Sequence, residues 1–126
     1  MILNLTDLSG EPLQSQIYRQ IRAMILSGDL KAAEMLPSIR RLAREEKVSV
    51  ITIQRGYELL EREGLILSRR GKGFFVSEIH ELEKKELAKK RFIEKIEPTI
   101  ELARNEGLTK EEISRILVEL LQKAEE

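Results

Sequence analysis

The chain has no cysteine and a single histidine, His80. Without cysteine there are no disulfides and no thiolate metal sites, which fits a reducing compartment. One histidine excludes a histidine-rich metal site. No run is long and apolar enough to span a bilayer, and the opening MILNLTDLSG lacks the basic start and apolar core of a secretion signal. Catalytic groups are equally scarce. The carboxylates sit in helical charge patterns beside basic residues, and His80 has no obvious partner. Gly71-Lys72-Gly73 lacks the spacing and the following helix of a phosphate-binding loop. Neither an enzyme, a cofactor, a metal site nor a membrane partner is expected, and a cytoplasmic setting is.

What is present fits one modest domain with an appendage. The chain has 126 residues, 41% of them hydrophobic, enough for a real core. Formal net charge is zero but unevenly spread. Residues 1–77 carry 12 basic and 9 acidic side chains, a balance of +3. Residues 78–126 carry 10 basic and 13 acidic ones, a balance of −3. Such asymmetry suggests a division of labour between residues 1–77 and residues 78–126.

The most informative stretch runs from Leu36 to Val76. A short helix over Ser38–Glu46 leads through Lys47-Val48 into a second over Val50–Glu63. Ser38 and Ser49 are the expected N-caps, although Arg41 leaves Ser38 without a capping box. Ile53, Tyr57 and Leu60 mark the buried face of the second helix. Two apolar runs, Leu65-Ile66-Leu67 and Phe74-Phe75-Val76, flank Arg69-Arg70-Gly71-Lys72-Gly73 and predict a hairpin. Before this stretch, Pro12 suits the first turn of a helix that Gly28 ends, with Leu13, Ile17, Ile21, Met24 and Ile25 on one stripe. Ile2 to Leu5 reads as a short strand or an ordered arm. The fold expected is mostly α with a small β-hairpin: a winged helix-turn-helix followed by a two-helix tail.

In that architecture the second helix enters a major groove. Ile51, on the face opposite Ile53, can meet thymine methyl groups there. Ser49 and Thr52 can reach phosphates or base edges, Gln54 can pair with adenine, and Arg55 can grip guanine or phosphate. Each residue taken alone has a plainer reading, as a cap, a solvated charge or a satellite core contact. Ser38 and Arg40 open the preceding helix, where a cation opposes the helix dipole unless it grips phosphate. Arg69, Arg70 and Lys72 crowd a short tip around Gly71, and a polyanion relieves their mutual repulsion. Double-stranded DNA is the expected partner; a winged helix used for RNA or protein docking is the alternative.

From Glu78 the chain becomes highly charged. Leu82, Ile93, Ile96 and Ile100 approximate a heptad seam, with Pro98 expected to kink or restart the helix. Thr109 to Glu112 is a capping box, opening a last helix with Ile113, Leu117 and Leu120 on one face. Two such seams exceed what a small winged helix can cover, so a second copy of the chain is the expected partner.

At these residues the chain resembles the GntR family of bacterial winged-helix regulators, and its short length resembles the YtrA-type subfamily. The resemblance covers about residues 10–77. It rests on Pro12-Leu13 with Gln16-Ile17, Ile25 to Leu30, Leu36-Pro37-Ser38 with Arg40 and Leu42-Ala43, Val48-Ser49 with Thr52-Ile53, Leu60 to Ile66, and Arg70 to Gly73 with Phe75-Val76. It implies DNA contacts at Arg40, at Ser49, Val50, Ile51, Thr52 and Gln54, and at Gly71 with its neighbours. It also implies a homodimeric transcriptional regulator, a repressor on an inverted-repeat operator, often of its own transporter operon. Ala32-Ala33 replace the usual Pro-Gly turn, Arg41 replaces an acidic residue, and Val50-Ile51 replace more polar ones. The last change bears on which operator is read, not on how. Residues 78–126 are too few for a domain with its own ligand cavity, so no small-molecule effector is assigned.

Overall fold

Helix α1 (Leu13–Ser27) starts directly after Pro12, which occupies the cap position in an extended conformation, one residue earlier than the sequence suggested. A computed structural model describes residues 1–125. Gly28 closes α1 in the left-handed conformation and returns its N–H to Ile25. Then follow α2 (Ile39–Glu46), α3 (Val50–Arg62), β1 (Ile66–Arg69), β2 (Gly73–Val76), α4 (Glu81–Asn105) and α5 (Lys110–Ala124). The chain divides into two compact units, Met1–Lys84 and Lys85–Glu126.

In the first unit α3 packs on both α1 and α2. Ile17, Ile21 and Ile25 of α1 meet Ile53, Tyr57 and Leu60 of α3, with Leu42 of α2, in a core that excludes water. The closest approach is at Gly56. A Cβ there would lie 2.8 Å from Ile17 Cγ2 and 3.3 Å from Ile17 Cβ, too close for any side chain. At the end of α3, Glu63 accepts from Arg22 Nε at 3.0 Å and from the Tyr18 hydroxyl. That ties α3 to α1 at a second point.

Two glutamines hold the N-terminal arm, which is not a strand. Gln20 exchanges two 2.8 Å hydrogen bonds with the Asn4 backbone. Gln16, only 1% exposed, accepts from Thr6 N–H and donates to the carbonyls of Thr6 and Glu11. The amides thus stand in for a neighbouring strand, and the bonds of Gln16 let its polar side chain lie buried without loss.

β1 and β2 pair antiparallel in the register Ile66 with Val76 through Arg69 with Gly73. Each strand is displaced slightly from its predicted run because Leu65 is used in the turn after α3, while Arg69 and Gly73 join the ladder. A third partner was not evident in the sequence. Met35 bridges to Phe75, and Leu36 N–H donates to the Phe74 carbonyl at 2.9 Å, so the loop before α2 pairs with the hairpin. Ala33, in that loop, has φ 67°.

In the second unit, α4 does not restart at Pro98. Proline frees the Glu94 carbonyl, but Glu94 is exposed to water, and the Thr99 hydroxyl donates to the next carbonyl, Lys95, at 3.2 Å. The capping box of α5 is present, with Thr109 N–H donating to Glu112 Oε1 at 2.9 Å and Glu112 N–H to Thr109 Oγ1 at 3.1 Å. The backbone hydrogen bond from Thr109 holds the Glu112 carboxyl below the usual carboxylate range. No described residue of α4 or α5 is buried.

Two substitutions test the packing. Gly56→Ala gains helix propensity of about 1 kcal/mol but overpacks against a β-branched side chain, typically about 1–3 kcal/mol. The net expected is a loss of about 1 kcal/mol, with Gly56→Val worse, read as a lower midpoint in urea; a more stable Gly56→Ala would show that α1 yields freely. Ala33→Gly, conversely, relieves a left-handed alanine and should raise stability by roughly 0.5–1 kcal/mol in the same assay.

Candidate nucleic-acid interface

With Ile53, Gly56, Tyr57 and Leu60 of α3 buried, the remaining face is fixed outward. It carries Val50 at 44% and Ile51 at 57% exposure, with Gln54, Arg55 and Glu58 also exposed. Val50 and Ile51 thus leave adjacent apolar side chains largely in solvent at the start of α3. Ser49 is both exposed and a cap: its Oγ accepts from Thr52 N–H at 3.1 Å and lies 2.7 Å from Thr52 Oγ1. Gln54 donates through Nε2 to Glu58 Oε1 at 3.1 Å.

Tyr57 sets where this face sits relative to the other elements. Its hydroxyl donates to the Pro37 carbonyl at 2.7 Å, immediately before α2. Its ring meets Phe74 of β2 edge-on, with centroids 5.1 Å apart. Burial holds the Tyr57 hydroxyl well above the usual phenol range, and the Glu45 carboxylate adds to this, so it stays a donor. One side chain thereby links α3, the start of α2 and the hairpin.

On α2, Ser38 accepts from Arg41 N–H at 3.1 Å, leaving Arg40 exposed in the first turn. Arg41 is taken up by Glu45, at 2.7 Å. At the hairpin tip, Gly71 takes a left-handed φ of 75° and Lys72 N–H closes the turn onto the Arg69 carbonyl at 2.9 Å. Arg70, Gly71 and Lys72 are exposed. Arg69 differs from its neighbours: its guanidinium lies over the Phe75 ring, 5.2 Å from the centroid. Among the described residues, Arg40, Arg55, Arg70 and Lys72 make no ion pair with an acidic side chain.

The residues assigned to dimerisation divide differently. Ile96, Ile100, Ile113, Leu117 and Leu120 line one apolar cleft of about 230 Å³ between α4 and α5, joined by Ala103, Leu108 and Ile116. That is smaller than pockets for drug-sized ligands. Ile93, 48% exposed, is not in the cleft, and Leu82, 80% exposed, lies in the first unit.

Glu58 lies on the outward face of α3, as the helical spacing predicts, but its bond to Gln54, the close packing at Gly56 and the bridge at Met35 are not part of that reading. A glycine inside a strong helical pattern signals close packing, and the four-residue spacing of Gln54 and Glu58 signals a pair, so both were recoverable. The Met35 bridge had no local signal.

A family model described as "Bacterial regulatory proteins, gntR family" matches residues 13–76. The uncharacterized HTH-type transcriptional regulator YhcF of Bacillus subtilis is 38% identical over 105 residues, covering 83% of this chain and 86% of that protein. The HTH-type transcriptional repressor YtrA of Bacillus subtilis is 39% identical over 70 residues, covering 56% of this chain and 54% of that one. Among solved structures, a GntR family transcriptional regulator from Listeria monocytogenes superposes with a TM-score of 0.75 at 29% identity, covering 88% of this chain and 96% of that chain. YtrA from Sulfolobus acidocaldarius, a GntR-family transcription factor, gives a TM-score of 0.59 at 29% identity, covering 74% and 98%.

Arg40 and Ile51 occupy positions suited to different tasks, and competition binding separates them. Phosphate contacts position without reading sequence, whereas base contacts discriminate. Arg40→Ala should weaken preferred and random duplexes by similar factors. Ile51→Ser should lose about 1–3 kcal/mol on the preferred duplex and much less on random DNA. The opposite pattern would mean that α3 is docked differently.

Proposed function

Because the chain belongs to the gntR family of bacterial regulatory proteins and is a DNA-binding transcriptional regulator, we propose that it acts as a homodimeric repressor on an inverted-repeat operator. Residues 1–77 bind DNA and residues 78–126 pair the two copies. The observation that carries the DNA half of this reading is the outward face of α3, where Ile51 stands 57% exposed beside Gln54. Ile51 and Gln54 face bases; Ser49, Val50 and Thr52 lie at the groove edge; Arg55 takes guanine or phosphate. Ser38 and Arg40 from α2, and Arg69, Arg70, Gly71 and Lys72 from the hairpin, hold the flanking backbone. For Arg69 this requires leaving Phe75, an exchange that phosphate favours over an exposed cation–π contact.

Pairing is supported by the apolar surface of the second unit. Ile116, Leu120 and Leu121 of α5 are 43%, 56% and 68% exposed, and Leu102 of α4 is 57% exposed. A small unit with no buried residue among those described gains its core by covering such surface with a second copy. A two-fold dimer presents two recognition helices to one side of the duplex, so the half-sites should be centred about 34 Å apart or at a multiple of that. Repression is supported by the name of the repressor YtrA, with which the chain shares 39% identity over 70 residues. Control of the chain's own transporter operon, in the cytoplasm, completes the reading; no helix among the described residues is long and apolar enough to cross a membrane.

Sedimentation of the full chain should give a dimer at micromolar concentration, and Leu117→Asp, which puts a charge into the apolar cleft, should shift it to monomer. A stable wild-type monomer would refute the pairing. Affinity for duplex DNA should fall by roughly 10³ or more between 50 and 200 mM salt, since several cations per copy displace counterions. A flat salt dependence would instead indicate protein docking.

A further inference from the structure

The recognition helix carries an acid on the side offered to DNA. Glu58 is exposed on α3, one turn after Gln54 and flanked by Arg55 and Arg62. A carboxylate there repels phosphates and lowers affinity for any duplex. Arg62 follows Glu58 by four residues, the favoured order for a helical ion pair. Yet among the described residues Glu58 makes no ion pair. Its Oε1 instead accepts from Gln54 Nε2 at 3.1 Å.

That partner matters because of what an amide must do at a base. Gln54 offers two N–H donors and one acceptor oxygen, and an adenine edge needs one donor and the acceptor side by side. A loose amide flips about its last torsion and presents either end. A carboxylate accepts only, so it attracts the nitrogen end and repels the oxygen. One N–H is then held, and Oε1 with the other N–H is left for the base.

We propose that Glu58 is a positioning residue for sequence reading: by holding Gln54 Nε2 it fixes the amide in the orientation that matches a base edge, in exchange for weaker binding to all DNA. This inference rests on Gln54 as a base contact. Glu58 needs no contact with DNA of its own.

The test uses the full chain and its preferred duplex, selected from random sequences, with each base pair then varied singly in competition binding. Gln54→Ala should flatten the preference at one base pair per half-site by roughly tenfold. Glu58→Ala should flatten the same base pair by roughly threefold or more, and the double variant should be no flatter than Gln54→Ala alone, because the two residues act as one unit. Binding to random duplexes should strengthen in Glu58→Ala and in Glu58→Gln alike, since both remove the charge. Glu58→Gln should keep only part of the base preference, less than the wild type and more than Glu58→Ala, because its amide can accept from Gln54 but can also turn and donate to it. A Glu58→Ala variant that retains the preference at that base pair overturns the proposal, as does one that changes only a neighbouring pair, which would mean that Glu58 touches a base directly. If Gln54→Ala leaves every preference intact, base reading by Gln54 falls and the positioning role with it. If Gln54→Ala flattens the profile and Glu58→Ala does not, base reading stands and only the positioning role is lost.

Discussion

Everything that α3 presents outward depends on how closely it can lie on α1. At Gly56 the two helices leave no room for a Cβ, which would stand 2.8 Å from Ile17. A glycine inside a helix is normally unfavourable by roughly 1 kcal/mol against alanine. Here it permits the contact that seats Ile53, Tyr57 and Leu60 in the core. The bonds of Glu63 to Arg22 and Tyr18 prevent α3 from rolling at its far end. With rotation fixed, Ile51, Gln54 and Glu58 have only solvent, or a groove, to face.

Tyr57 extends that constraint to the rest of the surface proposed to face DNA. Through Pro37 it sets the start of α2 and so Arg40; through Phe74 it sets the hairpin and so the cations at its tip. The loop pairing at Met35 and Leu36 braces the hairpin from its other side. The exposed cations thus project from a packed backbone frame, so that binding has to order their side chains but not the elements that carry them. The basic excess, +3, lies in residues 1–77, which carry that surface, and the acidic excess, −3, lies in residues 78–126.

Much of this was legible in the sequence because local physics decides it. Hydrophobic spacing gave the buried face of α3, serines gave two caps, Thr109 with Glu112 gave a third, and the glycines around Lys72 gave the hairpin tip. What was not legible comes from partners distant in the chain. Gln16 and Arg22 are polar, with no local signal for burial, yet both are buried because the arm and Glu63 satisfy them. Loop residues 33–36 lack strand character and pair only because the hairpin passes beside them. Pro98 predicts a kink or a restart, whereas α4 runs on through it at a position where Glu94, the residue whose carbonyl it frees, is exposed. At the candidate interface the exposed residues were foreseen, but the pairing of Gln54 with Glu58 and the stacking of Arg69 on Phe75 were not.

The central claim is that α3 reads the major groove, twice, from one side of the duplex. Base analogues test it most directly. Uracil in place of thymine deletes only the C5 methyl group, and 7-deazaadenine in place of adenine deletes only N7; both atoms line the major groove, and the minor groove and backbone are untouched. Scanned across the preferred duplex, these substitutions should weaken binding in two short windows centred about 34 Å apart, or a multiple of that. Binding that ignores both analogues at every position would contradict the docking of α3 in the major groove.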